Sequence, residues 1–373
     1  MKSVVLTPYC PWPADTGAKI EMLKHLSILK ELGECQIASA ASRPVGAGWN
    51  QTTFATAQML GYEVFLREHW QRRLSAQGLY GMLYAIVCKG LRFDRAFGHA
   101  NPYHRYAFPL LWWQGLIRNA QLAVINYSYW ARLPAHIPKV VILHDLLSDI
   151  MVGGDRLETE ELGQADLVVA ISKIEEEKLR ARGVTTVMWS PPLVHPCETG
   201  MNSDVGIIGS GNAFNLDGMK WLQKDGAFDD IDLTVYGGLA DKVTGKWRRV
   251  PSYEDIYTPY RQCGIILLTT ALGTGVQIKA IEALACGRVI IARKGAMRGI
   301  PPSAEAWIEV ETANEMRKQL ERFRKDHRIR TEQGNKARHY YDTYLDSKTI
   351  AGNLRTAYMG LLQTEKSSVL LDR

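Results

Sequence analysis

Several common signatures are missing from this sequence, and each absence narrows the choice. Its six cysteines, at 10, 35, 88, 197, 263 and 286, form no C-x-x-C pair and no other metal-ligand spacing. They read as reduced, mostly buried thiols of a cytosolic chain. No run of about 18 apolar residues occurs, so no spanning helix is expected. The opening Met1-Lys2-Ser3-Val4-Val5-Leu6-Thr7 is too short for a secretion signal and runs at once into prolines, which points to a cytoplasmic site of action. No D-x-D follows a hydrophobic strand, and H-x-x-x-H, G-x-S-x-G, Walker and G-x-G-x-x-G patterns are missing. Neither a metal nor another cofactor is therefore expected.

A large excess of one charge is lacking too. The net charge of +6 over 373 residues favours phosphates or acidic headgroups, but falls short of a dedicated nucleic-acid binder. Hydrophobic residues make up 46%, enough for two domains of ordinary size.

Strand-length apolar runs alternate with segments of helical period. Ser3–Thr7 reads as a strand, 17–33 as a helix ended by Gly33, and Gln36–Ala40 as a second strand, a βαβ opening that implies a parallel sheet. Residues 61–119 show no clean period. Strands are expected again at Leu122–Tyr127, Val140–His144 and Asp166–Ile171. Ser172 and Glu175 fit a capping box for the helix 173–182. A proline-containing stretch, Ser190 to Pro196, and the polar Glu198–Ser203 suit a linker. The pattern then restarts, with strands at Asp204–Ile208, Asp232–Tyr236, Gly264–Thr269 and Val289–Ala292 and helices at 314–324 and 330–363. The expected fold is α/β: two doubly wound Rossmann-like domains facing a cleft, residues 1–197 and 198–350. A last helix, 351–373, is expected to pack on the first domain. In open sheets of this kind ligands bind outside the carboxyl ends of the strands.

The most informative segment runs from Thr269 to Gly287. Gly273, Thr274 and Gly275, followed by Val276 and Gln277, form a small-residue turn between a strand and a helix. Such a turn lets backbone approach a ligand, and the helix N-terminus behind it offers N–H donors to phosphate. Lys279 adds charge. Glu282, three residues on, lies on the same helix face. The pair is either a phosphate and ribose site or a plain Lys–Glu pair over a turn.

This segment resembles glycosyltransferase family 4, the retaining GT-B enzymes, whose second domain carries a signature close to G-x-G-x-x-x-K-x-x-E-A-x-A-x-G. Gly273, Gly275, Lys279, Glu282, Ala283, Ala285 and Gly287 stand in that pattern. The resemblance implies that Lys279 contacts a donor pyrophosphate and Glu282 a ribose. Many members have a second Glu where this chain has Thr274. The turn Gly209-Ser210-Gly211 resembles the family's glycine turn, without the Arg and Lys that usually follow. Val250 lies in the region that usually cradles the base.

The resemblance extends to the first domain, where the proline-rich 8–16 loop leads to Gly17 at a helix start, with Lys19 behind it. His144-Asp145 looks like the His-Asp that some family branches place at a strand end. Asp145 is open to a capping role instead. Tyr127 and Trp130 belong to an aromatic cluster that faces either an acceptor or the core. The catalytic set implied is His144, Gly17 and Lys279; Lys19, Asp145, Tyr127 and Trp130 are the acceptor candidates.

The reaction implied is retaining, metal-independent transfer of a sugar from a nucleotide-diphospho-sugar to an acceptor hydroxyl, in glycan or glycolipid assembly. An inverting enzyme or epimerase with His144 as base, and a non-catalytic nucleotide-sugar binder, are the alternatives. Residues 63–119 hold eight basic and three acidic residues with interleaved aromatics. They form either a surface for an anionic membrane or a solvated face over a core.

Overall fold

A computed structural model describes residues 1–14, 16–40, 48–68, single positions between 71 and 87, 106–150, 155–198, 200–244, 246–273 and 275–371. Thr274 lies outside the described residues. The chain divides into two units: Met1–Pro192 with Ile350–Arg373, and Leu193–Thr349.

The first unit is built on a seven-stranded, all-parallel sheet. Its strands are β1 (Lys2–Leu6), β2 (Glu34–Ala40), β3 (Glu63–Arg67), β4 (Leu122–Asn126), β5 (Lys139–Leu143), β6 (Leu167–Ala170) and β7 (Val187–Trp189), in spatial order β3-β2-β1-β4-β5-β6-β7. The central strands are apolar throughout because both faces are covered. One face packs Leu6, Ile125, Val141, Leu143 and Trp113. The other packs Val5, Ile37, Val124 and Ile142 against Met22, Leu26 and Leu29 of helix α1 (Gly17–Leu32) and against Leu354 and Tyr358 of the C-terminal helix.

The second unit repeats the plan with six parallel strands, β8 (Val205–Ile208), β9 (Thr234–Tyr236), β10 (Arg248–Val250), β11 (Ile265–Leu268), β12 (Val289–Arg293) and β13 (Ile308–Val310), ordered β10-β9-β8-β11-β12-β13. Each sheet reverses its winding beside its first strand, between β1 and β4 and between β8 and β11. Those are the points where crevices open at the carboxyl ends.

Three local expectations are corrected. The capping box at 172–175 does not form: Ser172 makes no side-chain cap, and the Glu175 carboxylate accepts from the Leu146 amide at 3.1 Å. Burial first, and the nearby Asp145 charge second, push that carboxyl up to about 8. The single helix 330–363 is two, His327–Tyr344 and Ser347–Leu371, because Asp346 caps a new start by accepting from the Thr349 amide at 2.9 Å. The periodless 61–119 stretch contains the edge strand β3 and, later, the helix Leu110–Ile117.

Candidate active site

In the second unit, the turn after β8 and the turn after β11 meet at the switch point. Gly209 receives the Leu239 amide on its carbonyl and gives its own to Tyr236. Gly237 has φ +79°, and a Cβ there would stand 2.7 Å from the Gly209 carbonyl, so two backbones touch where side chains would separate them. Ser210 and Gly211 stay on the surface of this turn, with the Ser210 carbonyl taking the Asn215 amide at 2.9 Å.

The turn after β11 is organised by a residue that no motif flagged. The Arg298 guanidinium donates to the carbonyls of Thr270 (3.2 Å), Ala271 (3.3 Å), Leu272 (2.9 Å) and Gly295 (3.3 Å). In a trans peptide the N–H points opposite to the C=O before it, so the amides of Ala271, Leu272 and Gly273 face away from Arg298. Gly273, at φ +115°, has Arg298 Nη2 only 2.8 Å from where its Cβ would stand.

Helix α2 (Ile278–Ala285) starts behind this turn, and its N-cap, Gln277, makes no side-chain cap. The Ala280 amide donates to the Gln277 carbonyl at 2.9 Å, and the Ile278 and Lys279 amides keep their donor capacity. Gln277 itself is corrected as a ligand candidate. It is buried, and its amide donates inward to the carbonyls of Thr270 (2.6 Å) and Ala296 (2.8 Å). Val276 is half-buried beside it.

Lys279 and Glu282 share the helix face but not an ion pair; each has its own partners. The Lys279 ammonium donates to Ile208 O (3.0 Å), Asn215 Oδ1 (2.8 Å) and Thr270 Oγ1 (3.2 Å). These are three bonds for three donors. Burial and then the Arg298 charge push its pKa down to about 8, against the pull of Glu282. A phosphate there would trade one neutral acceptor for a charged one. Glu282 accepts from the Tyr260 hydroxyl, and burial raises its pKa. Tyr253 sits near enough to feel its charge and packs edge-on to Tyr236 at 6.0 Å. Val250 ends β10 with its carbonyl on the Gly237 amide (2.9 Å), a strand too short and too polar to stand out in the sequence.

In the first unit, the loops after β1, β4 and β5 gather Gly17, Lys19, Tyr127, His144 and Asp145. Gly17 is exposed and opens α1, with Thr16 as N-cap accepting from the Lys19 amide at 3.4 Å. His144 is buried. Its Nε2 lies 2.6 Å from Asn126 Oδ1, and its ring lies 4.5 Å from that of Tyr127, tilted by 32°. Tyr127 has φ +79°, the one non-glycine with positive φ among the described residues. Such strain gathers at functional sites. Burial pushes His144 down to about 4 and Tyr127 up to about 12. Asp145 is half-buried next to them. Trp130 is corrected: it is 2% exposed and packs edge-on to Phe108 at 5.0 Å, inside the core and out of an acceptor's reach.

Two parallel-sheet α/β domains, each with its crevice at a switch point, define the GT-B architecture of glycosyltransferases. No family model matches the chain, and no curated protein matches it by sequence. Solved structures do. The chain is similar to Anabaena HepE in complex with UDP, at 13% identity and TM-score 0.67 over 96% of this chain and 100% of that one. It is similar to a sucrose-phosphate synthase from Thermosynechococcus elongatus, at 14% and 0.65 over 98% and 100%. TarM matches at 9% and 0.65 over 97% and 98%. At such identities the likeness establishes the fold.

Proposed function

We propose that the protein is a glycosyltransferase that moves a sugar, with retention and without a metal, from a nucleotide-diphospho-sugar to an acceptor hydroxyl. The observation that carries this reading is the anion cradle of the second unit. Amides turned away from Arg298, the uncapped start of α2 and the Lys279 ammonium converge at one switch point. As a glycosidic bond breaks, the leaving diphosphate gains negative charge, and preorganised donors of this kind stabilise it. Glu282, with one oxygen on Tyr260, keeps acceptor capacity for ribose hydroxyls. HepE has also been solved with UDP-glucose, a ligand of the class proposed for this chain. The acceptor is assigned to the first unit, with Gly17, Lys19, Tyr127, His144 and Asp145.

The test is to incubate the protein, in excess EDTA, with a panel of nucleotide sugars and to follow the released sugar by proton NMR. Release of nucleoside diphosphate and a first product with the donor's anomeric configuration is expected. An inverted first product would overturn retention. Binding without turnover of any donor, with or without acceptor sugars, would favour a non-catalytic nucleotide-sugar binder.

The proposal includes an anionic lipid surface as a peripheral partner. Leu79, Leu83, Ile86 and Val87 are helical residues and are 48%, 64%, 66% and 56% exposed. They lie within the basic 63–119 segment. No helix among the described residues is long and apolar enough to cross a membrane.

A further inference from the structure

The hydrogen bonds around His144 have a direction that fixes where its proton sits. The Tyr9 hydroxyl donates to the Ala18 carbonyl at 3.0 Å, and the Thr7 hydroxyl donates to the Tyr9 carbonyl at 3.1 Å. A carbonyl only accepts, so both hydroxyls spend their hydrogens there and present lone pairs to Asn126. The Asn126 atom 3.1 Å from Tyr9 Oη and 3.4 Å from Thr7 Oγ1 must therefore be the amide nitrogen. Its oxygen is then the atom 2.6 Å from His144 Nε2, and that oxygen also only accepts. The hydrogen lies on Nε2, and the lone pair of the neutral ring lies on Nδ1.

We propose that Thr7, Tyr9 and Asn126 are positioning residues that hold His144 as the neutral Nε2–H tautomer, leaving Nδ1 as an acceptor for a hydroxyl and not for a phosphate or carboxylate. Asn126 is fully buried and Thr7 likewise, so water does not compete for the relay. Among the described residues His144 makes no other hydrogen bond than that to Asn126. Burial disfavours an imidazolium most; of the charged groups that act on the ring from α1, Glu21 favours it, while His25 and Lys24 oppose it together with burial. Tyr127 covers one ring face. The relay also ties the ring to Tyr9 and, through Ala18, to the start of α1. The hydroxyl-bearing ligand rests on the glycosyl-transfer reading; the tautomer does not.

The test is two-bond proton–nitrogen correlation NMR on the full-length protein with labelled histidine, His144 being assigned by the signal lost in His144→Gln. One neutral tautomer with hydrogen on Nε2 is expected, unchanged from about pH 8 down to about pH 5.5, where an ordinary histidine has become mostly charged. A hydrogen on Nδ1, or an imidazolium forming near pH 6.5, would overturn the proposal. Asn126→Leu removes the acceptor at similar volume and should give a mixture of tautomers. Tyr9→Phe, a milder change, should shift the same ratio by less. An unchanged single tautomer in a folded Asn126→Leu protein would also overturn it. The wild-type spectrum decides the tautomer even where a variant fails to fold, and loss of sugar transfer would leave that result standing.

Discussion

At the residue scale the account rests on buried groups whose charge is set by their surroundings. Burial pushes Lys279 down to about 8, and under the proposed role it would bind an anion only when protonated. Affinity for a nucleoside diphosphate should hold up to about pH 8 and then fall, by at most about tenfold per unit, while Lys279→Ala should be weaker and flat with pH. Calorimetric titration at several pH values reads this directly; a wild-type affinity flat through pH 9 would separate the amine from the phosphate. Glu175 gives the opposite kind of signal. Its folded pKa is raised, so its contribution is complete below the unfolded value near 4.5 and is lost as pH rises through 8. Glu175→Gln removes that loss and should stabilise the fold at high pH, by up to about 5 kcal/mol, and leave it nearly unchanged near pH 5. Equal melting shifts at both pH values would contradict it. Lys279 and Glu282 were legible because a strand, a turn and a helix frame them. Arg298 and Asn215 were not, since they act through backbone carbonyls and one amide, contacts that no spacing encodes. Gln277 and Trp130 misled because adjacency to a motif says nothing of which way a side chain turns.

At the element scale, edges were harder to read than centres. Strands β1, β4, β5, β8, β11 and β12 are buried apolar runs and were found within a residue or two. Of the four described three-residue strands, the internal β9 falls within the expected Asp232–Tyr236, while β7, β10 and β13, all at sheet edges, lack a buried apolar run long enough to show a pattern. Glycine packing was also hidden. Gly218, within helix Ala213–Gln223, faces the Thr269 carbonyl so closely that a Cβ would lie 2.7 Å from Oγ1 and 2.9 Å from the backbone. Gly218→Ala should therefore cost ~1–3 kcal/mol despite the gain in helix propensity. A melting temperature equal to or above wild type would show that the helix can shift. For these exposed apolar residues of the basic segment, Leu83→Glu with Ile86→Glu should abolish cosedimentation with phosphatidylglycerol vesicles and leave the circular dichroism unchanged. If the unmodified protein does not sediment with those vesicles, the lipid assignment fails.

At the scale of the whole molecule, two parallel sheets with a switch point each could be read from the alternation of strands and helices, even though identity to the solved neighbours is 9–14%. What the sequence hid is how the chain is tied together within the first unit. Lys24, 5% exposed, donates to Ser190 O (2.9 Å), Ser190 Oγ (3.1 Å) and Pro191 O (3.1 Å) and pairs with Glu21, while His25 meets Tyr358 of the last helix. Burial alone would raise the Glu21 carboxyl; Lys24 and His25 outweigh it and hold it at about 2. Lys24→Met would strand that charge in the interior at a cost of ~3–5 kcal/mol, seen as a fall in urea midpoint. A midpoint unchanged by the substitution would mean that the cluster relaxes without it.

The central claim is that the second unit holds a nucleoside diphosphate without metal, phosphate on Lys279 and ribose on Glu282. The most direct measurement is calorimetric titration, in excess EDTA, of UDP, GDP, ADP and inorganic pyrophosphate into wild type, Lys279→Ala and Glu282→Ala. The account predicts that at least one nucleotide binds the wild type. Lys279→Ala should weaken nucleotide and pyrophosphate alike by ~1.5–3 kcal/mol, and Glu282→Ala should weaken the nucleotide and spare pyrophosphate. Binding that appears only with Mg²⁺ or Mn²⁺, or a Lys279→Ala protein that is folded and binds as tightly as wild type, would contradict it.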